Sequence, residues 1–233
     1  MTLESLLEAL QLLARWDREL AAITVNSLSF ALASTGLAAV GGVPIGVLLA
    51  FRRFPGKRAL LSAVQTLVGL PTVVVGLLVF GLLSRAGPLG PLGLLFTPTA
   101  VIVGQAILAL PIIVSFVSAG LTGLDSGLEE TLVTLGASRF RRTLKIVREG
   151  RIAVASAVLT GFGRVIGEVG IAMMLGGNIR WYTRTITTAI ALETQKGAFA
   201  MSVALGFVLL VLAFGVNFGL SYLIRFRSVS RIP

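Results

Sequence analysis

The sequence predicts an all-α, polytopic membrane protein with five transmembrane helices, and three observations carry that prediction. Residues 20–51, 59–84, 86–124 and 197–224 contain no charged side chain, and about 20 apolar residues suffice to cross a bilayer core. Only 13% of the 233 residues are charged and 55% are hydrophobic, against about 25% charged in a typical soluble domain; the mean hydropathy is +0.95. Lysine and arginine are concentrated in alternate connections between the apolar stretches, which is how orientation in a membrane is set.

Taken in order, residues 1–20 cannot span, because Glu4, Glu8, Arg15, Asp17, Arg18 and Glu19 charge them. Leu3, Leu6, Leu7 and Leu10 recur at i, i+3, i+4 and i+7, which predicts an amphipathic, extracytoplasmic helix lying on the membrane. A transmembrane domain over 21–224 follows, with spans near 22–50, 60–83, 98–121, 152–175 and 199–224. The third starts late because residues 87–93 are rich in glycine and proline and read as a loop. The fourth is apolar except for Arg164 and Glu168. Glycine and proline inside spans one to three, among them Pro44, Pro71 and Pro111, permit close packing and kinks. One side of the membrane carries 13 Lys and Arg, in residues 52–58, 139–151 and the tail 225–233, and the other side six. The positive-inside rule places the N-terminus outside and the C-terminus in the cytoplasm.

Composition removes most chemistry. The chain has no cysteine and no histidine, and its only aspartates are Asp17 and Asp125. Thiol catalysis, imidazole acid–base work, zinc sites and clustered-aspartate metal sites are excluded, so an intramembrane enzyme is disfavoured. The net charge of +10 is explained by topology and calls for no nucleic acid.

Residues 125–151 form the most informative connection. Ser126 and Glu129 fit a capping box, and Leu128, Leu132 and Leu135 form a stripe at i, i+4 and i+7. Gly136 ends this short helix. A second, basic helix starts at Ser138, with Phe140, Leu144 and Val147 on one face and Arg141, Lys145 and Arg148 on another. An exposed apolar stripe on a capped helix fits docking into a partner's groove.

The segment Glu130-Thr131-Leu132-Val133-Thr134-Leu135-Gly136-Ala137, with Ile146 ten residues after the glycine, resembles the EAA loop of ABC importer permeases. Thr131 and Leu132 stand where that loop has alanines, and Arg148-Glu149 where Leu-Pro is usual. Residues 70–76 (LPTVVVG) and 164–170 (RVIGEVG) resemble two stretches of molybdate-type permeases, and Asn178-Ile179 with residues 183–186 resembles their following outer loop. Residues 187–194 are most similar to the tungstate branch. The resemblance covers roughly residues 20–224. It implies a type I ABC importer permease fold and import of tungstate, or molybdate, across a prokaryotic cytoplasmic (inner) membrane. It also implies a homodimer partnered by an ATP-binding ABC subunit and an extracytoplasmic oxyanion-binding protein. Glu129, Glu130, Leu132, Gly136, Ala137, Arg141 and Ile146 are the expected coupling residues.

The chain has no Gly-x-x-x-x-Gly-Lys-[Ser/Thr], so ATP and Mg are expected on the partner ATPase and no cofactor on this chain. A stand-alone anion channel or secondary carrier is the alternative; it leaves the capped cytoplasmic helix without a role. Pro71, Arg164, Glu168, Asn178, Thr183 and Arg184 are the expected pathway or gate residues. Arg164 lies about 18 Å along its span, near the midplane, and can pair with Glu168 at i+4. It either meets the passing oxyanion or forms a neutral structural pair. Arg184 is expected in an open outer loop among threonine donors, with Trp181 and Tyr182 as interface anchors against membrane lipid.

Overall fold

The computed structural model describes residues 3–52, 54–124 and 131–229, and among these it contains helices and no strand. The helices are α1 (Leu3–Arg15), α2 (Arg18–Phe51), α3 (Lys57–Val68), α4 (Thr72–Leu83), α5 (Pro98–Thr122), α6 (Arg139–Glu149), α7 (Arg151–Ile166), α8 (Gly170–Gly176), α9 (Ile186–Gln195) and α10 (Phe199–Val229). A 3-10 turn at Gly90–Leu92 lies in the connection expected from its glycines and prolines.

The α2–α5 pair is the spine. Gly42 and Gly46 face Ile113 and Val117 so closely that a Cβ on Gly46 would lie 2.7 Å from Val117 Cβ. Lipid offers no hydrophobic drive between helices, so close packing over small residues supplies the attachment. Ala31, Ala38, Ala106, Ala109 and Ala157 continue this core to α7. Both α2 and α5 run unbroken through Pro44 and Pro111. Pro44 is exposed, so its ring disturbs no helix contact.

Three spans are single helices, and the other two expected spans are bent pairs. Residues 60–83 divide into α3 and α4, which meet at 97°, and residues 152–175 into α7 and α8, which meet at 63°. The first break has a local cause. Pro71 donates no hydrogen bond and biases Leu70 away from helical geometry, while Gly69 caps α3. The second has no proline; α7 ends at Ile166 with Gly167 as its cap, and the Glu168 carboxylate reaches forward to accept from Ile171 N in the first turn of α8.

The first helix also has a contact face that the leucine stripe did not indicate. Its contact face is Ala9, Leu12 and Leu13, packed on Ala204, Leu205 and Val208 of α10. Leu7 and Leu10 of the expected stripe are left more than half exposed. The segment is therefore docked on α10, with a second apolar face left exposed. Trp16, at φ 47°, turns the chain into α2, whose first amides are capped by Asp17.

Candidate functional site

Where the two bent spans meet, α4 and α8 pack together. At their junction, Arg164 Nη1 lies 2.7 Å from Glu168 Oε2. The two ends differ in environment: the Glu168 side chain is 3% exposed and that of Arg164 is 40% exposed. The pair predicted at i and i+4 exists, but on no continuous helix, since Glu168 lies past the end of α7. Thr187 Oγ1 donates to Glu168 O at 2.7 Å and brings α9 to the same break. Thr72, just after Pro71, approaches from α4: a Cβ on Gly170 would lie 3.4 Å from Thr72 Oγ1 and 3.3 Å from Glu168 Oε1. Arg164 and Glu168 thus pair at this junction, and Pro71 lies one residue before Thr72, which borders it. A buried carboxylate holds a half-exposed guanidinium at membrane depth.

The outer segment is closed where an open loop was expected. Arg184 is 8% exposed, and Thr183, Thr185, Thr187 and Thr188 are all buried. Arg184 Nη1 lies 3.0 Å from Glu19 and 3.9 Å from Glu193. Arg180 clasps Glu19 through two nitrogens at 2.9 and 2.6 Å. The hydrogen bond that Arg180 donates to Glu19, then the Glu19 charge, raises the Arg180 pKa above its ordinary value. Thr183 Oγ1 donates to Gly176 O and accepts from Ile179 N. Thr185 and Thr188 form the capping box of α9. Asn178, at φ 51°, donates to Thr188 O. The hydroxyls expected to await an oxyanion are occupied in holding the loop. Trp181 and Tyr182 are exposed as anchors would be, and the guanidinium carbons of Arg18 and Arg180 lie 5.8 and 5.2 Å from the Trp181 ring centre.

The pairing roles of Glu19, Ser27 and Asn26 carry no signal in the sequence. Ser27 Oγ accepts from Ile186 N at 2.6 Å, and Asn26 donates to the carbonyls of Tyr182 and Arg184. Each lies about 160 positions from its partner, so no local pattern signals it; Glu19 registered only as a charge that forbids a span.

On the 125–151 connection, Ser126, Leu128, Glu129 and Glu130 lie outside the described residues. Residues 131–134 are helical and end at Gly136, whose φ is 69°. Gly136 N donates to Val133 O at 2.9 Å, and Ala137 N to Leu132 O at 3.0 Å. This is the glycine-terminated helix end expected. Val133, Leu135 and Leu144 are 52%, 74% and 59% exposed. The second helix is α6, with Ser138 accepting from Arg141 N. Leu132 is half-buried and Arg141 exposed, whereas Ile146 is only 4% exposed. Ile146 thus anchors α6 from within and has no free surface for a partner. Gly150 joins α6 directly to α7, and a Cβ there would collide with Leu121.

Comparison with known proteins accords with this architecture. Residues 42–228 match the family described as binding-protein-dependent transport system inner membrane component. A probable anion ABC transporter permease protein of Haloferax volcanii is 42% identical over 203 residues, 85% of this chain and 88% of that protein. The tungstate uptake system permease protein TupB of Campylobacter jejuni is 45% identical over 168 residues, 72% of this chain and 70% of that protein. In fold, the chain is similar to one in an inward-facing MetNI methionine ABC transporter, with a TM-score of 0.69 at 20% identity, covering 86% of this chain and 92% of that one.

Proposed function

We propose, from the premise that this chain belongs to the family of binding-protein-dependent transport system inner membrane components, that it is the membrane subunit through which tungstate, or its near analogue molybdate, enters the cell. It is a multi-pass permease subunit of an ABC importer, and it works with an ATP-binding subunit and a substrate-binding protein. Similarity to a tungstate uptake permease along most of the chain is the observation that carries the substrate. Family membership sets aside a stand-alone channel or secondary carrier. Two copies form the pathway about a two-fold axis, because five spans enclose no route alone. The N-terminus faces outward and the C-terminus the cytoplasm, in line with the arginine distribution. ATP and Mg belong to the partner subunit.

The coupling follows from connectivity. Val133, Leu135 and Leu144 offer an apolar surface to the ATP-binding subunit. Arg141 adds charge at its edge, and Glu129 and Glu130 lie on the same connection. Ile146 fixes α6 to the body, and Gly150 passes its movement into α7 with no intervening loop. Over 16 residues, α7 carries that movement about 24 Å to the break where Arg164 and Glu168 pair and Thr72, next to Pro71, borders them. A rotation of α7 there shifts α8 against α4 and changes the width of the route. Asn178, Thr183 and Arg184 hold the outer end of this moving unit.

The test is uptake by vesicles carrying the permease with its ATP-binding subunit and binding protein. ATP-dependent accumulation of tungstate, with molybdate as competitor, is expected. Preference for sulfate over both, or accumulation without the ATP-binding subunit, refutes the proposal.

A further inference from the structure

We propose that one face of α3, formed by Arg58, Ser62, Gln65 and Gly69, lines the inner half of the oxyanion route. The inference rests on the oxyanion-permease reading and adds residues to the pathway that the sequence did not suggest.

The helix divides into three sectors. At about 100° per residue, Arg58, Ser62, Gln65 and Gly69 share one narrow sector, and all four are exposed. Leu61, Val64 and Val68 share a second, half-buried sector, and α3 packs against α5. Ala59, Leu60, Ala63 and Leu67 share a third, exposed and wholly apolar. The third sector suits lipid. The first does not, because uncompensated polar groups facing hydrocarbon are costly.

This polar sector runs at membrane depth. Lys57 Nζ donates to Ala50 O at the inner end of α2, so α3 begins at the cytoplasmic side. Beyond its far end, Thr72 lies beside Gly170 and Glu168. That junction is one length of α7 above the inner end of α5, where Gly150 abuts Leu121. The chain from Lys57 to Thr72 has to cover about 24 Å, which it does by running along the inner half of the span and not flat upon its surface.

The chemistry suits a hydrated dianion. The sector begins at Arg58 and ends at Gly69, beyond which Thr72 comes near Gly170 and Glu168, the partner of Arg164. Between Arg58 and Gly69 stand a hydroxyl and an amide, and residues 57–69 include no carboxylate. Thr66, at the sector's edge, is withdrawn, since its hydroxyl donates to Ser62 O at 2.9 Å. Ser62 and Gln65 therefore offer weak, replaceable donors between the Arg58 cation and the Arg164–Glu168 pair, which favours passage over retention.

The natural chain has no cysteine, so single-cysteine variants report without background. Ser62→Cys and Gln65→Cys are compared with Leu60→Cys and Leu67→Cys in the complete transporter, each variant checked for assembly. The probe is a membrane-impermeant, negatively charged thiosulfonate. A thiol in lipid stays protonated and unreactive, so the first pair is expected to react at least about ten-fold faster than the second. Saturating tungstate, with ionic strength matched by chloride, is expected to slow that reaction. Reaction at Ser62→Cys and Gln65→Cys as slow as at Leu60→Cys overturns the proposal. Fast reaction slowed by no oxyanion also overturns it, because the face is then wet but off the route. Fast reaction slowed by molybdate or sulfate but not by tungstate upholds the face and refutes the tungstate reading instead.

Discussion

Removing Arg164 should harm the protein more than removing Glu168, although the two form one ion pair. Glu168 is 3% exposed and Arg164 40% exposed. Arg164→Gln leaves a carboxylate with no counter-charge in a water-poor junction, and loss of one partner of a buried pair costs about 3–5 kcal/mol. Because the Arg164 side chain is itself 40% exposed, the lower end applies, about 3 kcal/mol. Glu168→Gln leaves a guanidinium that can turn to water, and the new amide oxygen still accepts from Ile171 N. Its cost should be about 1 kcal/mol. The double variant, with neither charge, should cost less than the sum by about 1–2 kcal/mol. Reversible unfolding in mixed micelles of mild detergent and dodecyl sulfate, followed by Trp16 and Trp181 fluorescence, gives the three numbers. Equal losses for the two single variants, or strict additivity, would refute the claim that the buried carboxylate dictates the energetics of this junction.

Three further outcomes are expected. Arg184→Gln should lower stability and uptake by the same factor at low and high ionic strength, because its pairing with Glu19 is buried and little screened; Arg180→Gln, altering an exposed guanidinium, should show a salt-dependent and smaller effect. Gly136→Leu should impair transport while the purified permease stays monodisperse, since φ of 69° costs a side chain about 1 kcal/mol and misaims Leu135; normal ATP-driven uptake by this variant would remove the connection from the coupling path. Gly46→Leu should prevent assembly of the α2–α5 spine, read as loss of folded protein in the membrane, whereas Gly36→Leu, with nothing within 4 Å of its Cβ position, should be tolerated.

Much of this protein is written in local composition. Apolar run length alone determines that α2, α5 and α10 cross a membrane, because the bilayer imposes a minimum number of uncharged residues on any helix within it. The end of the cytoplasmic helix at Gly136 and the start of α6 after Ser138 are equally local, since a glycine in the left-handed region and a serine cap act within three residues. Apolarity carries no direction, however, so the same runs could not reveal that two spans bend by 97° and 63°. The bend at Pro71 has a local cause, but that at Gly167 depends on the Glu168 carboxylate finding Arg164 and Ile171 N in three dimensions. Exposure was also beyond reach. Arg184 looked like a free cation in an outer loop; the fold brings Glu19 to it from 165 positions away and turns α9 so that the nearby Glu193 lies 3.9 Å off. Side-chain identity settles which residues are charged, apolar or helix-ending; packing settles which distant groups pair and which polar faces stay open, because partners 159 to 165 positions apart leave no trace in local periodicity.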